Sequence, residues 1–364
     1  THLPSPVHPH STRHERSVAS APTFHDPCAQ VLLGQRYILA MHYAAHRPLF
    51  SPSKLGLLAQ ALNAFPLVVL SNFYGMPAGA YYLHHCIMHH QANNLFPYDV
   101  SSTMPYDRSR PLHFALYVMN FLLHTFIYLP YYAIKKGRVA IGLMALGCFA
   151  AYFKAYLMIA AAQPVFFTIS LGVSFVLGPI ALMLGNYSQH IFVDPDDPTS
   201  NYGLACNHLN APFNMLTFND GYHITHHLTS ICHWSEMPLH FIKNIEKYEK
   251  GGAIIFRGIN FDDITFNVFA GEKGLRRLAS CIVQLTPVHK SEEELIAMMR
   301  KRLRPITTGP HAQALGAPQG GLFVANELLW LAVWWATDFP FAVVPALCVP
   351  AFHLAYALAM RAGA

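Results

Sequence analysis

Four histidine clusters at helical spacing, set between apolar stretches, constrain this chain more than any other feature. They are His42-x-x-x-His46, His84-His85-Cys86-Ile87-Met88-His89-His90, Asn186-x-x-x-His190 and His223-x-x-His226-His227. On an α-helix, residues at i and i+4, or at i, i+3 and i+4, share one face. His42 and His46 can therefore point at one ion, as can His223, His226 and His227. The second cluster breaks this rule, because a regular helix turns His90 away from His85. A π-turn between Leu83 and Gln91 would restore His85, His89 and His90 to one face, and such bulges favour functional sites. His85 is preferred to His84 as the ligand because i, i+4 is the better spacing.

Nine box histidines are too many for one ion. Imidazole suits Fe, Zn, Cu and Ni, with selectivity set by geometry and ligand count. A structural zinc needs four ligands, so nine suit two ions with positions left open. No Glu-x-x-His pair lies on an apolar helix, which excludes the carboxylate-rich di-iron bundle.

Composition says where such a site sits. Charged residues make up 12% of the chain and apolar ones 53%, against about 25% charged in soluble domains. Lipid is therefore expected as part of the solvent. The 23 histidines outnumber the 19 acidic residues, and histidine beside lipid needs a partner; metal binding supplies one. A net charge of +5 without a basic stripe argues against nucleic acid. The seven cysteines are scattered singly, so neither a zinc ribbon nor a disulfide framework is expected.

The apolar pattern divides the chain. Residues 1–30 read as a disordered or extended tail. Their first part is rich in Ser, His, Pro and Arg with one acidic residue, Glu15, as in the stub of an organelle transit peptide. Residues 31–250 carry the boxes. Residues 251–320 read as a soluble segment, with a helix starting at the Ser291-Glu292-Glu293-Glu294 capping box. Residues 321–364 form an apolar hairpin or docking segment. His113 and His124 read as hydrogen-bonded core residues.

The boxes "HYAAHRPLF", "HHCIMHHQANN", "GNYSQHIFVD" and "NDGYHITHHLTSICHW" resemble, in order and spacing, the membrane fatty acid desaturase and hydroxylase superfamily. The similarity covers about residues 31–249. It implies an all-α integral membrane fold and a non-haem di-iron centre that uses O2 to desaturate or hydroxylate a lipid acyl chain. Carried over residue by residue, it puts His42, His46, His85, His89, His90, His190, His223, His226 and His227 on two irons, with Asn186 acting through water. The second box has one residue more than HxxHH, and no full hydrophobic hairpin precedes the first. Asp99, Asp194, Asp220, Glu236 and His208 are nearby candidates to hold the ligands' free ring N–H groups.

Boxes that share one centre must share one side of the membrane. Residues 55–74 cannot then be a simple span and read as re-entrant or interfacial, bent at Pro66 and Gly75-Met76-Pro77. Residues 112–134 are followed by Lys135-Lys136-Gly137-Arg138 and read as interfacial. That leaves residues 139–184 as the membrane-crossing hairpin, turning at Gln163-Pro164. No HPGG haem signature or ferredoxin cysteine pattern is present, so a separate electron carrier of ferredoxin or cytochrome b5 type is expected. The expected location is an organelle membrane (mitochondrial inner or chloroplast) or the endoplasmic reticulum. A rival reading is a desaturase-like accessory subunit of a larger membrane complex that keeps its metal site; a zinc hydrolase lacks HExxH.

Overall fold

The computed structural model describes residues 27–306, with side chains from Gly34 onward. The tail before Pro27 and the apolar segment at 321–364 lie outside the described residues.

Helix α1 (Pro27–His46) carries the first box on its last two turns. Arg47-Pro48 ends it, since the residue before proline is pushed out of the helical region. Helix α2 (Leu57–Val68) then runs away from the histidines and tightens into a 3-10 turn at Leu70–Tyr74. There the chain doubles back. Gly75 takes a left-handed φ of 76°, Met76 N–H donates to Ser71 O at 3.1 Å, and Gly79 N–H donates to Leu67 O at 3.0 Å. The return limb, Ala80–Ala92, brings the second box beside the first. The stretch leaves the cluster after His46 and rejoins it at His85, whose ring centre lies 4.8 Å from that of His46. Two glycines let the turn rest on the later helix: a Cβ on Gly178 would fall 2.0 Å from Tyr74 O, and one on Gly75 would fall 2.2 Å from Ser174 O.

Helix α3 (Pro111–Lys135) opens on proline at its first position, where no donor is lost. Its middle turns meet the second box and the loop after it. Asn120 Nδ2 donates to Val100 O, Phe121 meets the His84 ring edge-on at 4.9 Å, and Tyr128 Oη donates to Pro97 O at 2.7 Å. Helix α4 (Val139–Ala162) packs along α3, turns at Gln163-Pro164, and returns through a π-helix at Phe167–Gly172 into α5 (Val173–Gln189), which ends at His190. Four stretches, Leu57–Tyr74, Pro111–Lys135, Val139–Ala162 and Pro164–Gln189, are long and apolar enough, by length and composition, to cross a membrane. The last two form the hairpin; the first doubles back and the second stays with the histidine-bearing loop.

Residues 191–306 pack against this body. Strand β1 (Cys206–Leu209) pairs in parallel with β2 (Ile254–Arg257), Cys206 opposite Ile254. Between them, α6 (His223–Leu228) carries the last box. Helices α7 (Phe261–Phe269), α8 (Glu272–Cys281) and α9 (Glu292–Leu303) follow, and α9 begins at the expected capping box of Ser291 and Glu294. These helices are not a detached unit. Ile264, Leu278 and Met299 share one buried apolar cluster with Met41, Phe121 and Met183. Arg108, fully buried, ties them down. Its guanidinium donates to the carbonyls of Thr103, Met104, Tyr106 and Ile191 on one side and of Arg302 and Arg304 on the other.

Candidate metal centre

The second box is a π-helix from Leu83 to His89, in which His90 N–H donates to His85 O, an i to i−5 bond. The wider turn swings His90 back over His85, so their Nε2 atoms lie 3.1 Å apart. His89 points to the other side. The expected distortion is present, but it splits the box instead of gathering it.

The same division runs through the last box. The ring nitrogens of His42, His46, His85 and His226 form one group, all within 4.8 Å of one another; those of His89, His190, His223 and His227 form a second. His90 joins the first, with Nε2 2.8 Å from that of His226. His223 and His227, one turn apart, share the second group with their Nε2 atoms 3.2 Å apart. His226 turns into the first and lies 2.8 Å from His42 Nε2. The reading that His223, His226 and His227 face one ion is thereby corrected: the second and last boxes each serve both groups, the first box serves the first, and His190 serves the second.

Most of these rings are buried, and His226, His89 and His190 are fully so. Burial first, and then the neighbouring rings, push His42, His85, His90, His223, His226 and His227 well below the usual histidine range. Burial lowers His46 to about 4 and His190 to about 3. These eight rings are neutral at pH 7, and ring nitrogens converge in both groups. Converging lone pairs without a cation repel, and one shared proton per pair cannot satisfy four or five rings. His89 Nε2 is buried with no hydrogen-bond partner among the described residues. This donor set fits two cations of the kind that imidazole binds.

Outer contacts fix several rings. His89 Nδ1 meets Asp99 Oδ2 at 2.7 Å, and Asp99 Oδ1 accepts from Ser101 N–H and Oγ–H. Burial alone would raise the Asp99 pKa, but the His89 and Ser101 contacts hold it well below the carboxylate range. His190 Nδ1 donates to Leu204 O at 2.9 Å. His42 Nδ1 lies 3.5 Å from Asp220 Oδ1, and Gln189 donates to Asp220 Oδ2. Burial lifts Asp220 to about 7. His227 Nδ1 faces Asn93 Oδ1 at 3.2 Å.

The remaining candidates fall elsewhere. Asp194 binds the Arg302 guanidinium at 2.5 Å. Glu236 is exposed. His208 is fully buried but stacks on Phe256, outside both groups. His84 Nε2 meets Ser101 Oγ at 2.8 Å and also stays outside both groups. Asn186 Nδ2 donates to Tyr117 Oη and Ser101 O. His113 accepts from Asp107 N–H, and His124 meets Asn120 O, as core histidines do. Sequence reasoning missed Ser101, Gln189, Asn93 and Tyr117. Only the first two carried a local signal, Ser101 two residues after Asp99 and Gln189 beside His190.

A cavity of about 210 Å³ opens onto the histidines. His42, His85, His223 and Asn186 lie on its inner wall. Ile38, Leu39, Leu184 and Phe261 supply much of its apolar lining, and Tyr81, stacked on His85 with ring centres 5.4 Å apart, also lines it.

Fold and site together define a helical protein with membrane-length apolar helices, whose two histidine groups lie at the inner end of an apolar cavity. A family model described as fatty acid desaturase matches residues 27–258, well over half of the chain. The chain belongs to the fatty acid desaturase family. No curated protein and no solved structure matches it.

Proposed function

We propose that the chain is a membrane-bound oxidoreductase that uses two irons and O2 to desaturate or hydroxylate a lipid acyl chain. The observation that carries this reading is the convergence of two groups of imidazoles beside an apolar cavity. His42, His46, His85, His90 and His226 would hold one iron. His89, His190, His223 and His227 would hold the other, with Asn186 acting through water. The chemistry supplied when both irons are bound is reduction of O2 to an oxidant strong enough for an unactivated C–H bond.

The protein's own part is positional. Asp99 and Leu204 O keep the proton of His89 and His190 on Nδ1, so that each Nε2 lone pair faces inward. Ile38, Leu39, Leu184 and Phe261 exclude water and hold a methylene beside the histidines. Electrons come from a separate carrier of ferredoxin or cytochrome b5 type. The test is purified protein loaded with iron and given a reductant, O2 and acyl lipids. Mass spectrometry should find a product two hydrogens lighter or one oxygen heavier. Full iron occupancy with no oxidised product from any acyl lipid would refute the reading and leave an accessory subunit.

A further inference from the structure

The cavity has a graded wall. His42, His84, His85, His223 and Asp220 at its inner end are all buried, whereas Ala181 is exposed and Gln35, Leu182 and Asp262 are partly exposed. Its mouth therefore lies between α1, α5 and the first turn of α7. Gln35 is two helical turns from His42, about 10 Å along α1. A head group held at the mouth would sit a short acyl length from the histidines.

Asp262 gives that mouth a chemistry. Its carboxylate interacts with backbone N–H groups of its own first turn. Its Oδ1 is buried and has no hydrogen-bond partner among the described residues. A buried acceptor left unmatched is costly, and a donor from a ligand relieves that cost. The lining holds two carboxylates, Asp220 and Asp262, and neither lysine nor arginine. An anionic head would find no cation there.

Resting on the acyl-lipid reading above, we infer that Asp262 is a specificity-determining residue: the mouth accepts an acyl lipid whose head offers an amine or hydroxyl hydrogen bond, and disfavours phosphate-bearing and coenzyme A heads. Asp262 is a positioning group in this scheme and takes no part in oxidation.

The test is calorimetric binding to the metal-loaded protein of three probes with one acyl length: a long-chain amino alcohol, a monoacylglycerol and an acyl-coenzyme A. Wild type should bind the amino alcohol most tightly and the acyl-coenzyme A least. Asp262→Asn should weaken the amino alcohol about tenfold, the usual weight of a hydrogen bond to a charged group, with a smaller change for the monoacylglycerol. Asp262→Lys should reverse the ranking. Metal content and melting temperature check that each variant is folded, and the wild-type ranking decides even if a variant is not. Tightest binding of acyl-coenzyme A by wild type, or an unchanged ranking in folded Asp262→Asn, would overturn the inference. Binding in the expected order without any oxidised product would count against the proposed reaction instead, because binding needs no turnover.

Discussion

Replacing His226 by alanine should empty one histidine group and leave the other. His226 Nε2 lies 2.8 Å from His42, 3.3 Å from His85 and 2.8 Å from His90. Its loss takes the first group from five rings to four, with His42, His46, His85 and His90 left around the gap. Altering a group that merely holds a ligand costs about 10–100-fold in affinity, so loss of a ligand should cost at least about 100-fold, or roughly 2.7 kcal/mol. The second group keeps His89, His190, His223 and His227. Metal analysis of purified protein should then fall from two ions per chain to near one. His223→Ala should give the same count from the opposite group, and the double variant should hold almost none. Membrane extraction should not change, because neither residue lies in the four long apolar stretches. Two ions retained in either variant would refute the ligand assignment. Complete loss from each single variant would show that the nine rings form one cooperative site.

Other expectations follow from single contacts. Asp99→Asn should lower metal affinity or turnover about 10–100-fold with little change in melting, since it frees His89 without opening the core; unchanged turnover would mean that the contact is incidental. Arg108→Met should strip six carbonyls of their donor and destabilise the fold by at least about 3 kcal/mol, with limited proteolysis releasing the α9 end first; a wild-type melting curve would contradict this. The metal-free protein should lose stability in acid. His46 and His190 titrate near 4 and 3 when folded and near 6.5 when unfolded, so the unfolded chain binds the extra protons as pH falls below about 6.5. The loss should reach on the order of 2 kcal/mol per group at pH 5. Melting temperatures of chelator-treated protein from pH 8 to 5 should be level above 7 and fall below 6.5, and a flat profile would sink the argument.

Much of the site was legible because a metal site needs particular residue types at helical spacing. The nine rings could be named, and the crowding of His85, His89 and His90 demanded a π-turn. The allotment of rings to groups was not legible, because it depends on which way neighbouring residues face once the helix widens. The turn at Gln163-Pro164 between two long apolar helices was also legible, because proline and a polar residue interrupt the apolar run there. Contacts cross the expected boundary at 250/251: β2 pairs with β1, and Arg108 bonds across 194 residues to Arg302. Such long-range contacts leave no local pattern. Asp194 lies near a box in sequence, yet a carboxylate's nearest cation in space, here Arg302, decides its partner.

The second and last boxes each send adjacent residues to opposite groups: His89 and His90 in one case, His226 and His227 in the other. Neighbouring Cα atoms across a trans peptide are about 3.8 Å apart, a length that covalent bonds fix. Two separate stretches of backbone thus act as parallel gauges between the groups. When a loop shifts or a helix tilts, each pair still carries its own calibrated spacing. Inserting one residue between His226 and His227 would recalibrate only one gauge, and the two would no longer agree.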